Sequence, residues 1–231
     1  MTTYQREVRR CVVCGEVSTL KALASTSAFG PCDLDLRPPS PQRHTMGFWQ
    51  QECSGCGYVN VTLNTRLPEA DAVVGSPEFI ALRSATDEPA LVNRFKRYAL
   101  LVNEPRKAGW ALLHAAWVYD DFGDWERAAR CRHECADMWS ASIGGTDEES
   151  LRLQTVLIDV LRRAECFDEA DLLLRQTSEM AKTLIMTKVL DFQRRLIAVY
   201  DVDIYTVEQA AAAYRTPDIL KSRSFLRFGL R

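Results

Sequence analysis

Cys11-Val12-Val13-Cys14-Gly15 and Cys53-Ser54-Gly55-Cys56-Gly57 decide how this chain folds. Each is a Cys-x-x-Cys hook whose two sulfurs can grip one ion, and four thiolates complete a tetrahedral shell. The glycine that ends each hook suits a tight turn with positive φ. The pair predicts one metal ion held by Cys11, Cys14, Cys53 and Cys56. A closed four-sulfur shell leaves no position for water or substrate, so the ion is expected to be structural. Zn2+, one per chain, is the default occupant. A single iron fits the same thiolates, and four unligated thiols are the remaining alternative.

Outward from the hooks, 38 residues, Gly15 to Glu52, separate them, against about 15–20 in compact four-cysteine sites. The insertion has to loop out and return, which chain entropy tolerates because closure cost grows only logarithmically with length. Arg9–Val13 is β-prone, Thr45–Glu52 leads into the second hook, and Tyr58–Leu63 alternates apolar and polar residues like a half-buried strand. Strand, hook, strand resembles the layout of a zinc ribbon, and a small β head over residues 1–66 is predicted. It has little apolar mass, so metal binding is expected to supply much of its folding free energy.

Inside the insertion lies Gly30-Pro-Cys-Asp-Leu-Asp-Leu-Arg-Pro-Pro39, with Arg43 and His44 shortly after. Asp33, Asp35, Arg37, Arg43 and His44 are candidates for a ligand or partner surface. The plainer expectation is that these aspartates and arginines pair with each other and pin the loop to the head. Cys32 lacks a hook partner and reads as a small buried residue.

The remainder, residues 77–231, predicts a helical body, so the fold class is mostly α. Pro77, Pro89, Pro105 and Pro217 stand where first helical residues belong, and Thr146-x-x-Glu149 and Thr206-x-x-Gln209 fit capping boxes. Between them, apolar residues recur at three and four. Leu91, Phe95, Tyr98 and Val102 form one stripe, and Leu153, Leu157, Val160 and Leu161 another. Two stretches share a finer pattern: Tyr119…Gly123-Asp-Trp125…Ala128 and Leu161…Glu165-Cys-Phe167…Ala170. Both resemble the tetratricopeptide helix–turn–helix, although Glu165 occupies the glycine position of the second.

The other signals are weaker. Cys131 and Cys135 lie one helical turn apart with His133 between them, and Cys166 sits near the second turn. A second metal site or redox pair is conceivable there, but buried small thiols are the default. His114 reads as a packed histidine. The end, Lys221–Arg231, is basic with Phe225, Leu226 and Phe228, and is expected to pack its aromatics and leave its charges solvated.

The whole chain has 231 residues, 47% apolar, with a net charge of −2. That balance predicts no whole-chain attraction to nucleic acid or anionic membrane. The polar start and the lack of a run of about 18 apolar residues predict neither export nor membrane insertion, and hence a cytoplasmic protein with reduced thiols. Dinucleotide-binding, Walker, nucleophile-elbow and zinc-protease motifs are missing, which lowers the expectation of an enzyme.

The paired hooks, the Pro31–Pro39 segment and Met46-Gly-Phe-Trp49 running into Cys53-Ser-Gly-Cys-Gly-Tyr58, taken with the helical body, resemble a family of uncharacterised bacterial proteins. These join a zinc-ribbon-like segment to tetratricopeptide-like helices. The resemblance implies a bacterial cytoplasmic protein with metal at the four hook cysteines, and no activity. The expected function is a non-enzymatic zinc-binding scaffold for an unknown protein or peptide. Nucleic-acid binding through the ribbon, with Arg6, Arg9, Arg10, Arg37, Arg43 and Arg66 available, is the alternative. An enzyme using the 33–44 loop ranks third.

Overall fold

The computed structural model describes residues 1–140 and 143–213. Pro217 and the basic tail Lys221–Arg231 lie outside them. The protein is mostly helical, with a small β head that carries the four hook cysteines.

Strands β1 (Thr3–Arg10) and β2 (Val17–Ser25) pair antiparallel, and the first hook is their connecting loop. Only a short strand near Arg9 was expected. Val17–Ser25 alternates in the same way as a strand, but its residues are mostly small or polar and give little hydrophobic signal. The second hook joins β3 (Gln51–Glu52) to β4 (Val59–Asn60). This strand is shorter than Tyr58–Leu63: Tyr58, Val59 and Leu63 are all buried and Val61 is exposed, so the burial does not alternate. The backbone N–H of Val12 donates to the Leu63 carbonyl and ties the two hooks' segments together.

Helix α1 (Ala70–Val74) and helix α2 (Pro77–Ser84) lead into α3 (Ala90–Leu101). Ser76 caps α2 by accepting from the Phe79 N–H, with Pro77 at the first helical position. Cys11, Cys53, Tyr58, Val59 and Leu63 of the head share one apolar cluster with Ala70, Phe79 and Leu101.

Two helical hairpins come next, α4 (Pro105–Phe122) with α5 (Trp125–Ser140), and α6 (Glu148–Arg163) with α7 (Phe167–Glu179). Their turns are built alike. Gly123 has φ +72° and Glu165 φ +65°, and in each the next N–H reaches back to a carbonyl five residues earlier, Asp124 to Tyr119 and Cys166 to Leu161. The sequence match between the two stretches is thus a match of turn geometry, with glutamate accepting a left-handed backbone. Gly109 lets α4 and α5 approach closely: a Cβ there would lie 2.1 Å from the Trp139 indole nitrogen.

Helix α8 (Leu184–Ala198) and α9 (Val207–Ala213) follow. At α9 the capping box forms in full: Thr206 Oγ1 accepts from the Gln209 N–H, and Gln209 Oε1 accepts from the Thr206 N–H. At α6 the cap is Asp147, which accepts from the Ser150 N–H, one residue beyond the expected Thr146. Arg162 fastens α6 to α8 and to the segment between α8 and α9, bonding Asp159, Gln193 and the carbonyls of Asp201 and Asp203. Among the described residues, no helix is long and apolar enough to cross a membrane.

Candidate metal centre and the loop beside it

The two hooks are alike in their local bonding. Gly15 N–H donates to the Cys11 carbonyl and Gly57 N–H to the Cys53 carbonyl, both at 2.9 Å, with glycine φ of +79° and +78°. This is the tight turn that the Cys-x-x-Cys-Gly spacing calls for. It turns both sulfurs of each hook toward the other hook.

All four Sγ atoms lie within 4.8 Å of one another, with Cys11 to Cys56 at 3.7 Å and Cys14 to Cys53 at 3.5 Å. A tetrahedron with metal–sulfur bonds of about 2.3 Å has edges of about 3.8 Å. The donor set and spacing therefore fit one tetrahedral ion, and they do not distinguish zinc from iron. Cys11 and Cys53 are buried and Cys14 is exposed. At Cys14, burial pushes the thiol up, but the Glu16 N–H and the neighbouring thiols outweigh it and bring the thiol to about 7. Burial raises Cys53 and Cys56, against opposing backbone N–H groups. Backbone N–H groups aimed at sulfur are what stabilises a thiolate shell.

A clamp of three arginines, absent from the expected site, holds the second hook to the helices. Arg83 of α2 donates to the Gly55 carbonyl at 2.8 Å, and Arg97 of α3 to the Gly57 carbonyl at 2.7 Å. Arg97 and Arg94 both pair with Glu52, at 2.7 and 3.0 Å. Arg94 and Arg97, three apart on one helix, share a face, but nothing in the sequence says that Glu52 meets them. A Cβ at Gly57 would sit 2.8 Å from Arg83 Cδ and displace that side chain, and the φ of +78° disfavours any residue but glycine.

The five loop candidates separate. Asp33 pairs with Arg43 at 2.6 Å inside the loop, as residues of one anchor do; its burial raises its pKa despite that guanidinium. Arg37 reaches out of the loop to Asp121 at the end of α4. Asp35 is fully buried in the helical body. Its carboxylate accepts from the Trp117 indole at 2.7 Å and from Arg163 at 2.8 Å, with Arg132 at 3.7 Å. Asp120 completes this cluster, paired with Arg132 at 2.6 Å and Arg163 at 2.8 Å. Burial alone would raise Asp120, and the two guanidiniums override it and lower its pKa. The loop is therefore pinned to the body, not to the head. Leu34 packs with Val189, Phe192 and Leu196 of α8, and its N–H donates to the Tyr205 carbonyl.

Residues Leu34–Arg37 thus pack against α4, α6 and α8. Arg43 and His44 remain at an edge. They line a cleft of ≈ 460 Å³ floored by Met46, Leu91 and Val118, with Phe122 beside it.

Cys131 and Cys135 are buried. Cys166 Sγ stands 3.3 Å from His133 Nδ1, but burial, Glu169 and Asp137 push this thiol up. Among the described residues, the hook cysteines are the only group of three or more His, Cys, Asp or Glu spaced to hold an ion. His114 is ringed by Trp49, Phe95, Trp110 and Trp117. That desolvation takes its pKa down to about 3.

No protein-family model, curated protein or solved structure matches the chain.

Proposed function

We propose that this protein is a non-enzymatic, zinc-stapled binding protein whose helical body presents a peptide-docking cleft. The observation that carries the reading is the cleft of ≈ 460 Å³ at the junction of the loop and the body. Its floor is apolar, Arg43, His44 and Asp121 are its charged or polar lining, Asp121 being paired with Arg37, and Phe122, 70% exposed, extends the apolar surface. An apolar floor with a few polar rim groups is the chemistry of a docked peptide anchor. The ion at Cys11, Cys14, Cys53 and Cys56 has a structural part in this reading: it holds the head from which the loop departs. Zinc suits four thiolates without redox chemistry. Eight free thiols suit a reducing, cytoplasmic setting, and a bacterial origin, drawn from the resemblance, belongs to the same proposal. So do the tetratricopeptide-like relation of the two helical hairpins and the division into a 1–66 head and a 77–231 body.

The test is selection from a displayed peptide library on the zinc-loaded chain, counter-selected on Leu91→Arg. The expected result is a family of peptides with an apolar anchor that loses binding on Leu91→Arg. Enrichment of nothing, or of peptides indifferent to Leu91→Arg, defeats the reading.

A further inference from the structure

The pairing register of the β1–β2 hairpin sets Tyr4, Arg6, Val8 and Arg10 opposite Leu23, Lys21, Thr19 and Val17, so these side chains share one face. That face carries three cations and no carboxylate. Glu7 falls on the other face, where Arg9 pairs with it at 2.7 Å. Arg10 spends one N–H on the Gly15 carbonyl. Lys21 Nζ stands 4.1 Å from the Tyr4 ring centre and 5.5 Å from that of Phe48, and the two rings are 4.7 Å apart.

Beside this face, between β2 and residues 48–54, runs a groove of ≈ 300 Å³. Lys21, Phe48, Gln50, Gln51, Ser54 and Arg94 line it. Among the described residues that line it, the one carboxylate is Glu52, already neutralised by Arg94 and Arg97; Gln51 also donates to Glu7, which Arg9 neutralises. Gln50 is only 7% exposed, and among the described residues its Oε1 has no hydrogen-bond partner. A desolvated amide oxygen without a donor is costly unless something entering the groove supplies one.

Phosphate, π face and N–H donor occur together in a nucleotide. An acidic peptide satisfies the cations and can donate a backbone N–H to the amide, but it brings a π face only where it carries an aromatic side chain, whereas every nucleotide brings all three. A duplex satisfies the cations and cannot offer a base, because its bases are stacked and paired. We propose that this groove receives a base of single-stranded RNA or DNA. Arg6 and Lys21 take the flanking phosphates, Phe48 stacks on the base, and the Gln50 amide turns into the groove so that its Oε1 accepts from an N–H of the base edge. The site is separate from the peptide cleft.

Fluorescence anisotropy on the zinc-loaded full chain tests this, with labelled RNA, DNA and duplex DNA of about twelve units. Titrations at about 50 and about 200 mM salt give the charge contribution. Single strands are expected to bind more tightly than the duplex. Arg6→Ala with Lys21→Ala lowers affinity about tenfold and flattens the log–log salt slope by about 0.7 for each cation removed. Phe48→Leu loses about tenfold through stacking. Gln50→Met shrinks the differences in affinity among base sequences. Equal zinc content across variants shows that the head is intact. RNA tighter than DNA would assign a contact to the 2′-hydroxyl. Absence of binding at low salt, equal binding of the duplex, or affinity unaltered in the Arg6→Ala/Lys21→Ala variant overturns the proposal.

Discussion

The head and the body conceal opposite chemistries. The head's hairpin is exposed along most of its length, and what the head buries is chiefly sulfur, Tyr58, Val59 and Leu63. The body encloses a cluster of two aspartates and two arginines, each nearly inaccessible, between Trp117 and its neighbours. A region too small to bury enough apolar surface needs a metal in place of a core. A region with a large core can hold buried charge, provided that every charge is paired. The insertion joins the two, since it leaves from one hook, delivers Asp35 to the body, and returns to the other hook.

The largest test of this contrast is Cys53→Ser. The variant is expected to lose its metal, one ion per chain, as read by elemental mass spectrometry, and to melt the head while much of the helical circular dichroism persists. Collapse of the helical signal as well would mean that the shared Cys53–Phe79–Leu101 cluster makes head and body one cooperative unit.

Next is Asp35→Ala, which leaves Arg163 and the Trp117 indole facing an absent carboxylate. Removing one partner of a buried pair costs about 3–5 kcal/mol, measured as a shift of the urea midpoint. Metal content should not change. A loss below about 1 kcal/mol, the range of surface pairs, would mean that the loop does not anchor on the body.

The body should also answer to mild acid through His114. Unfolded, an imidazole takes its proton near pH 6.5; folded, this one does so at about 3. Between those values the unfolded chain holds the extra proton, so stability falls as pH is lowered from about 6.5. At pH 5 the loss is at most about 2 kcal/mol. His114→Phe keeps the aromatic cage filled and should flatten the dependence of the urea midpoint between pH 7 and pH 5. An unchanged slope would assign the effect to other groups.

The smallest effects compare the two hairpin turns. Gly123→Ala meets no atom within 4 Å, so its cost, about 1 kcal/mol, is the backbone penalty at positive φ alone. Glu165→Gly relieves the same penalty and should gain somewhat less, because glycine frees the unfolded chain. Melting temperatures moving in the same direction would break the equivalence of the turns.

Much of this is legible in the sequence. The hooks and their glycine turns follow from spacing within five residues, and the helix starts at Pro77 and Pro105 from the fixed φ of proline. Illegible were the arginine clamp on the second hook, the β2 strand, and the fate of the insertion. The sequence suggests that the loop's aspartates and arginines pair with each other; Asp33 and Arg43 do, yet Asp35 and Arg37 find partners beyond the loop.

The sequence by itself determined the four-sulfur site, the mostly helical body and the kinship of its two turns. Each of these is encoded by residues a few positions apart, where backbone geometry leaves few choices. Only the tertiary structure decided that Asp35 meets Arg163, 128 residues away, that Glu52 meets Arg94 and Arg97, and that Gln50 is buried without a donor. A charge or an amide has no period and no preferred neighbour along the chain. Its partner is fixed only when packing removes water and leaves one arrangement in which the buried charges are paired.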